Sequence, residues 1–152
     1  MYGMAGTCIM SSEDKISIGI TFGSFDLLHA GHVSMLEQCK KHCNWMIVGL
    51  QTDPTIDRPF KNKPIQSTFE RFCQLNALRC VDEIIPYDTE EDLKNMLSIL
   101  NIDKRFIGSE YSGAVLNGED ICKLRGIEII YIDRLHNYSS SELRERINHE
   151  SH

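Results

Sequence analysis

Two histidines, His29 and His32, stand where an apolar run hands over to a helical pattern, with Gly23 before them and Gly31 between them. A neutral imidazole carries one N–H donor and one acceptor. A pair at this spacing can turn both rings to one ligand, donate to phosphate oxygens and stabilise charge that grows during reaction. The first amides of a helix have no intrahelical partner and lie at the positive end of the macrodipole, so the place itself favours an anion. Gly23 and Gly31 remove the side chains that would hold a phosphate away from the backbone. Two loop histidines alone would read as caps or surface polar groups; the glycines and the strand before them turn the reading toward phosphate.

Two further stretches fit that chemistry. The formal charge is −6, yet no acidic residue falls between Asp57 and Glu70, a segment holding Arg58, Lys61 and Lys63. Positive charge gathered locally in an acidic chain suits a polyphosphate, and the acidic total argues against a general nucleic-acid binder. Arg134 and the run Tyr138-Ser139-Ser140-Ser141 lead into the last helical pattern. One hydroxyl suffices to cap a helix, so the run is ordinary capping chemistry by itself. As a second anion-ready helix start in one small domain, it strengthens the first.

The elements that must position these groups alternate. Ile16 to Phe22 and Trp45 to Leu50 read as continuous apolar strands of a parallel sheet, joined through a helix that opens near Gly31. That helix presents Val33, Leu36, Cys39 and Lys40 at helical spacing, with Met35 widening the apolar side. Gln51 to Gln66 breaks the periodicity as a loop. Ser67 with Glu70 forms a capping box for a helix running to Arg79, with Phe69, Phe72, Cys73, Asn76 and Ala77 at helical spacing. Val81 to Pro86 is a third strand. Thr89 caps a helix to Leu100 with Leu93, Met96, Leu97 and Leu100 as its stripe. Strands follow at Lys104 to Gly108 and Ile127 to Ile132, with a short helix from Glu119 to Leu124 between them. The last helix is expected to turn Leu143 and Ile147 inward. Alternation of this kind gives an α/β, doubly wound, Rossmann-like sheet.

With these motifs in hand, the chain resembles the HxGH nucleotidyltransferases, which are similar to class I aminoacyl-tRNA synthetases in their HIGH motif. GSFDLLHAGHVSML carries the resemblance, and from Ile16 to Ile147 the chain is most similar to the glycerol-3-phosphate cytidylyltransferases. The resemblance implies a five-stranded parallel sheet of order 3-2-1-4-5, with ligands at the carboxyl ends of the strands by its switch point. It implies CTP and glycerol 3-phosphate as substrates, CDP-glycerol and pyrophosphate as products, Mg²⁺ as cofactor with no protein metal ligands, and a homodimer. His29, His32, Lys61, Lys63 and Arg134 would be catalytic. Thr21, Phe22, Gly23, Ser24, Phe25, Gly31, Arg71, Arg79, Ser139 and Ser140 would bind nucleotide. Lys61 and Lys63 match a Lys-x-Lys pattern across a one-residue gap. The run from Arg79 through Val81-Asp82-Glu83-Ile84-Ile85-Pro86 resembles the family's RYVDEVIP with Cys80 for the tyrosine, whereas Ser109 departs from the family's acidic segment and carries no contact over. GSFDLLHAGHVSML is also very similar to heptose 1-phosphate adenylyltransferase domains, which makes a sugar-phosphate adenylyltransferase the alternative enzyme. A nucleotide-sensing module would need fewer basic groups and no histidine pair. An NAD-dependent dehydrogenase fits least well of these readings, because no GxGxxG follows the first strand.

At 152 residues the chain is expected to hold one domain over 16–148, after a loose extension at 1–15 and before a frayed tail at 149–152. No apolar run approaches a membrane span, and Met1 to Lys15 lacks the basic and apolar regions of a secretory signal. Six cysteines without an export signal suggest reduced thiols in a cytoplasmic protein. Cys39, His42 and Cys43 lack the second pair that structural zinc needs, so the cysteines read as apolar fillers.

Overall fold

A computed structural model describes residues 15–135 and 137–150. The expected extension at 1–15 lies outside the described residues except for Lys15, as do the last two residues of the tail. The chain runs β1 (Ile18–Gly23), α1 (Ala30–Lys40), β2 (Trp45–Gln51), α2 (Thr68–Asn76), β3 (Glu83–Tyr87), α3 (Glu90–Ile99), β4 (Lys104–Gly108), α4 (Glu119–Arg125), β5 (Glu128–Ile132) and α5 (Ser140–His149), with a single 3₁₀ turn at Ser109–Tyr111. All strand pairs are parallel, in the order β3-β2-β1-β4-β5. The expected fold is the one observed.

The central strands are apolar on both faces because both faces are covered. On one face Met46, Val48, Leu50 and Phe106 meet Leu36 and Cys39 of α1 and Leu75 of α2. On the other, Ile20 and Ile47 meet Leu93, Met96 and Leu97 of α3 and Cys122 of α4. Gly49 gives Phe22 its place: a Cβ there would lie 2.4 Å from the ring. Gly126 ends α4 with φ 69°, a left-handed cap that costs other residues strain. Pro86 in edge strand β3 removes a donor from the sheet's open side. Since β1 lies between β2 and β4, the chain crosses from one face to the other there, and the crevice at the carboxyl ends of β1 and β4 is the place for a ligand.

Two helix faces differ from expectation. α2 stops at Asn76, with Arg71 and Leu75 buried, while Phe69 is 74% exposed and Cys73, Asn76 and Ala77 face solvent. Arg71 and Leu75 stand at i and i+4, so the true stripe begins with a charged residue, which hid it from a search for apolar periodicity. α5 buries no residue: Leu143 is half-buried and Ile147 is 55% exposed. β1 also starts at Ile18 and not Ile16, which is exposed.

Among the described cysteines, Cys39, Cys43 and Cys122 are buried and all five are free. Burial pushes the Cys39 thiol up to about 12 and raises those of Cys43 and Cys80, so they sit in the interior as neutral thiols. No described helix is long and apolar enough to cross a membrane.

Candidate active site

The turn from β1 to α1 is built from its own side chains. His29 is the N-cap of α1, and its Nδ1 accepts from Gly31 N–H at 3.0 Å. His32, at N3, returns the bond: its Nδ1 accepts from His29 N–H at 3.2 Å. This is a capping box made of two imidazoles instead of a hydroxyl and a carboxylate. The rings lie 3.9 Å apart, tilted 31°, and Phe25 packs against His32 at 5.4 Å. The arrangement has a chemical consequence. A nitrogen that accepts from a backbone N–H carries no proton, so each neutral ring bears its hydrogen on Nε2, at the far side from the backbone. The pair is thereby set as two N–H donors. Protonating either ring would oppose a proton on Nδ1 to a backbone N–H and break the cap.

The residues before the histidines are held in an unfavourable backbone. Phe25 and Leu27 have φ 47° and φ 50°, a region that costs bulky residues roughly 1–2 kcal/mol each. Between them Asp26, 6% exposed, accepts from Ile65 N–H and Gln66 N–H at 2.9 Å each and from Arg144 Nη2 at 2.9 Å. Leu27 N–H donates to Gln66 Oε1 at 2.8 Å. These bonds fasten the histidine turn to the end of the basic loop. Gly23 leaves room for the Phe25 ring, which a Cβ would approach to a tight 3.1 Å.

Arg71 completes the anchorage. It is 1% exposed, and its guanidinium donates to the carbonyls of Ser24 (2.8 Å), Gln51 (2.6 Å), Thr52 (2.5 Å) and Gln66 (3.2 Å) and to Thr68 Oγ1 (3.3 Å). Burial pulls its pKa down and the nearby Asp26 and Asp53 push it back up. The nucleotide contact expected of Arg71 is replaced by a knot of carbonyls that joins the β1 turn, the end of β2 and the start of α2.

The other expected residues divide plainly. His29, Gly31, His32 and Phe25 come together. Ser24 contributes its carbonyl to Arg71. Thr21 is buried in the sheet, with its hydroxyl donating to the Phe106 carbonyl, and Phe22 packs edge-on to Tyr87 at 5.6 Å under the Arg105 guanidinium. Both therefore face the interior. Lys61 and Lys63 stand exposed on the loop; Lys63 is 4.0 Å from Asp53 and lines a cleft of about 550 Å³ with Asp53, Gln66, Ser67, Thr68 and Glu70. Arg58 is neutralised by Glu90 at 2.8 Å and bonds Gln51. Ser139 caps α5, Ser140 Oγ donates to the Asp26 carbonyl at 3.1 Å, and Arg134 donates to the Tyr138 carbonyl at 2.5 Å. Arg79 is exposed beyond the end of α2, near Asp82, whose N–H donates to Met46 at the start of β2. It lies toward the amino ends of the strands, whereas the histidines follow the carboxyl end of β1. Sequence reasoning missed Asp26, Gln66 and Arg144; the signal for Asp26 was a lone carboxylate between Phe25 and Leu27.

Among the described residues no group of three or more His, Cys, Asp or Glu is placed to hold a metal ion. Asp26, the carboxylate beside the histidines in the chain, has both oxygens engaged. The donor set present does not build a protein-held Mg²⁺ site.

A doubly wound parallel sheet with an anion-ready, histidine-capped helix start at its switch point is the architecture of a nucleotidyltransferase. The chain belongs to the cytidylyltransferase-like family, whose model matches residues 20–146. It is 34% identical over 134 residues to the bifunctional protein HldE of Hyphomonas neptunium, covering 86% of this chain and 27% of that protein. It is 32% identical over 140 residues to the bifunctional protein HldE of Campylobacter concisus, covering 91% and 29%. The chain thus spans between a quarter and a third of the length of these relatives. A lipopolysaccharide core biosynthesis protein of Thermoplasma volcanium superposes with a TM-score of 0.63 at 25% identity, covering 82% of this chain and 100% of that one. Pantothenate synthetase of Thermus thermophilus shares the fold alone, at TM-score 0.60 and 10% identity, covering 86% and 64%.

Proposed function

We propose that this chain is a sugar-phosphate adenylyltransferase, converting ATP and a sugar phosphate to an ADP-sugar and pyrophosphate. The mechanism was expected from the sequence; CTP and glycerol 3-phosphate were the substrates expected first, with the adenylyl pair as the alternative. The observation that carries the adenylyl choice is the likeness to HldE over most of this chain, together with the lipopolysaccharide core biosynthesis neighbour. The cleft beside Lys63 supports a sugar: Asp53, Gln66, Ser67, Thr68 and Glu70 on its wall are polar groups of the kind that bind hydroxyls.

A phosphate monoester with its second pKa about 6 is largely dianionic at neutral pH. Its oxygen attacks the α-phosphorus, a new P–O bond forms, and the bond from the α-phosphorus to the β-bridging oxygen breaks with its electrons leaving on pyrophosphate. No proton has to move, so no general base is needed. The chain's work is positioning and electrostatics. The Nε2–H groups of His29 and His32 donate to the α-phosphoryl oxygens as charge builds there, Lys61 and Lys63 meet the outer phosphates, and the Ser139–Ser140 helix start meets them from the other side. Mg²⁺ would enter with the nucleotide as part of the substrate and would supply charge neutralisation on its phosphates.

The test is pyrophosphate release from a matrix of ATP and CTP against heptose 1-phosphate, other sugar phosphates and glycerol 3-phosphate, with Mg²⁺ present. ATP with a sugar phosphate is expected to give the highest kcat/KM. Turnover only with CTP and glycerol 3-phosphate would return the chain to the cytidylyl branch. Nucleotide binding without pyrophosphate from any pair would make it a sensor.

A further inference from the structure

We propose that Asp26 is a positioning residue that latches α5 onto the histidine turn, and that the nucleotide's phosphates are held tightly only while the Asp26–Arg144 pair is made. The inference rests on the nucleotidyltransferase reading for its ligand and on geometry for its device. α5 buries no side chain, so apolar packing does not fix it. Two hydrogen bonds from it meet at one residue of the β1–α1 turn: Arg144 Nη2 donates to the Asp26 carboxylate at 2.9 Å, and Ser140 Oγ donates to the Asp26 carbonyl at 3.1 Å. The same carboxylate accepts from Ile65 and Gln66 N–H, which close the basic loop just after Lys63.

Three phosphate-facing elements therefore meet at one buried residue: the histidine turn, the lysine loop and the serine-bearing helix start. The two sides of the meeting are unequal. The loop side uses backbone amides and is doubled by Gln66 Oε1 on Leu27 and by Arg71. The α5 side uses a single-point ion pair, Nη2 alone, with Arg144 Nε buried and unpaired, and lacks the two-point fork that makes Arg–carboxylate pairs rigid. Such a contact opens at low cost compared with the loop side. Opening it leaves Ser140 Oγ on the Asp26 carbonyl as the remaining tie to that residue, which loosens the Ser139–Ser140 helix start without disturbing the α1 cap. The latch thus acts on binding of the outer phosphates, and the donors that face the α-phosphorus are left in place.

The experiment pairs Arg144→Ala with Arg144→Lys in the full chain, and reads hydrogen exchange, nucleotide affinity by calorimetry with ATP and with CTP, and steady-state kinetics. Arg144→Ala is expected to speed exchange across α5 by about tenfold or more, leave the Ile65 and Gln66 amides and the α1 cap unchanged, and weaken nucleotide binding roughly tenfold, with kcat at saturation within about twofold. Arg144→Lys, which keeps the charge, should restore most of the affinity. Unchanged α5 exchange in Arg144→Ala would overturn the latch, and so would faster α5 exchange with unaltered nucleotide affinity. A fall in kcat equal to the loss in affinity would also overturn it, by making Arg144 part of the reacting centre. Asp26→Asn would disturb the bonds to the Ile65 and Gln66 amides as well, so the arginine variants carry the test without it. If the wild type makes no pyrophosphate, the proposed reaction fails, while the exchange and affinity arms still decide the latch.

Discussion

Two of the strand-to-helix junctions, β1–α1 and β5–α5, carry the proposed phosphate donors, and they are built to opposite standards. At the β1–α1 junction the helix is sunk into the core through Leu36 and Cys39, its cap is closed by its own imidazoles, and the turn before it is pinned by Arg71 and by Asp26. At the β5–α5 junction the helix buries nothing and its cap is a lone serine. The first can hold two donors to within a few tenths of an ångström, which transition-state stabilisation requires. In the proposed reaction the second would yield as the nucleotide enters and pyrophosphate leaves, while the first would stay fixed around the reacting phosphorus.

The comparison breaks most severely at Arg71. Replacing it with Ala would leave the carbonyls of Ser24, Gln51, Thr52 and Gln66 without their donor, and is expected to cost about 3–5 kcal/mol by urea unfolding. A change under 1 kcal/mol would mean that the rigid junction does not depend on that knot. Next come His29→Asn and His32→Asn. The Asn side-chain oxygen can take the place of Nδ1 and keep the cap, but nothing then replaces Nε2–H. The melting temperature should hold while kcat falls by about 10² or more. Loss of stability without loss of kcat would make the imidazoles merely structural. Smaller effects belong to the open loop. Lys61→Ala and Lys63→Ala should each raise the nucleotide KM roughly fivefold with no change in melting temperature, since exposed ion pairs are worth about 1 kcal/mol or less.

The smallest effect contrasts the site's imidazole cap with the carboxylate caps elsewhere. Bonds from Ser67 hold Glu70, and bonds from Thr89 hold Asp92, below the usual carboxylate range. Depressed values in the folded state mean that their contribution is present above the unfolded values, about 4.3 and 3.9, and is lost as pH falls through the lower folded ones. The decline in melting temperature from pH 5 to pH 2 should therefore be shallower in a Glu70→Gln, Asp92→Asn double variant. An identical slope would remove the caps from the account.

The sheet was legible because its strands are written as apolar runs, and its order follows from the resemblance. The capping boxes at Ser67 and Thr89 were legible because a hydroxyl followed by an acid has one local use. What escaped were long-range polar contacts. Arg71 looks like a surface arginine until the helix face it lies on is known, and nothing near it in the chain names the carbonyls it meets. Asp26 pairs with Arg144, at the far end of the domain. The inward turn held only in part, with Leu143 half-buried and Ile147 largely exposed, because periodicity shows which side chains share a face and not how fully it is covered. The histidines were found by position, but their roles as mutual caps, which set the tautomer, required the geometry.

That tautomer gives the most direct test. A ring with its proton on Nε2 has no lone pair to offer there, so neither histidine can take the nucleotidyl group without giving up the cap, and in the proposed reaction transfer is expected to pass straight from nucleotide to acceptor. Exchange of labelled pyrophosphate into ATP separates the routes. The expected result is exchange only when the sugar phosphate is also present, with none from enzyme, ATP and Mg²⁺ alone. Exchange without the acceptor would reveal a covalent nucleotidyl-enzyme and contradict the account.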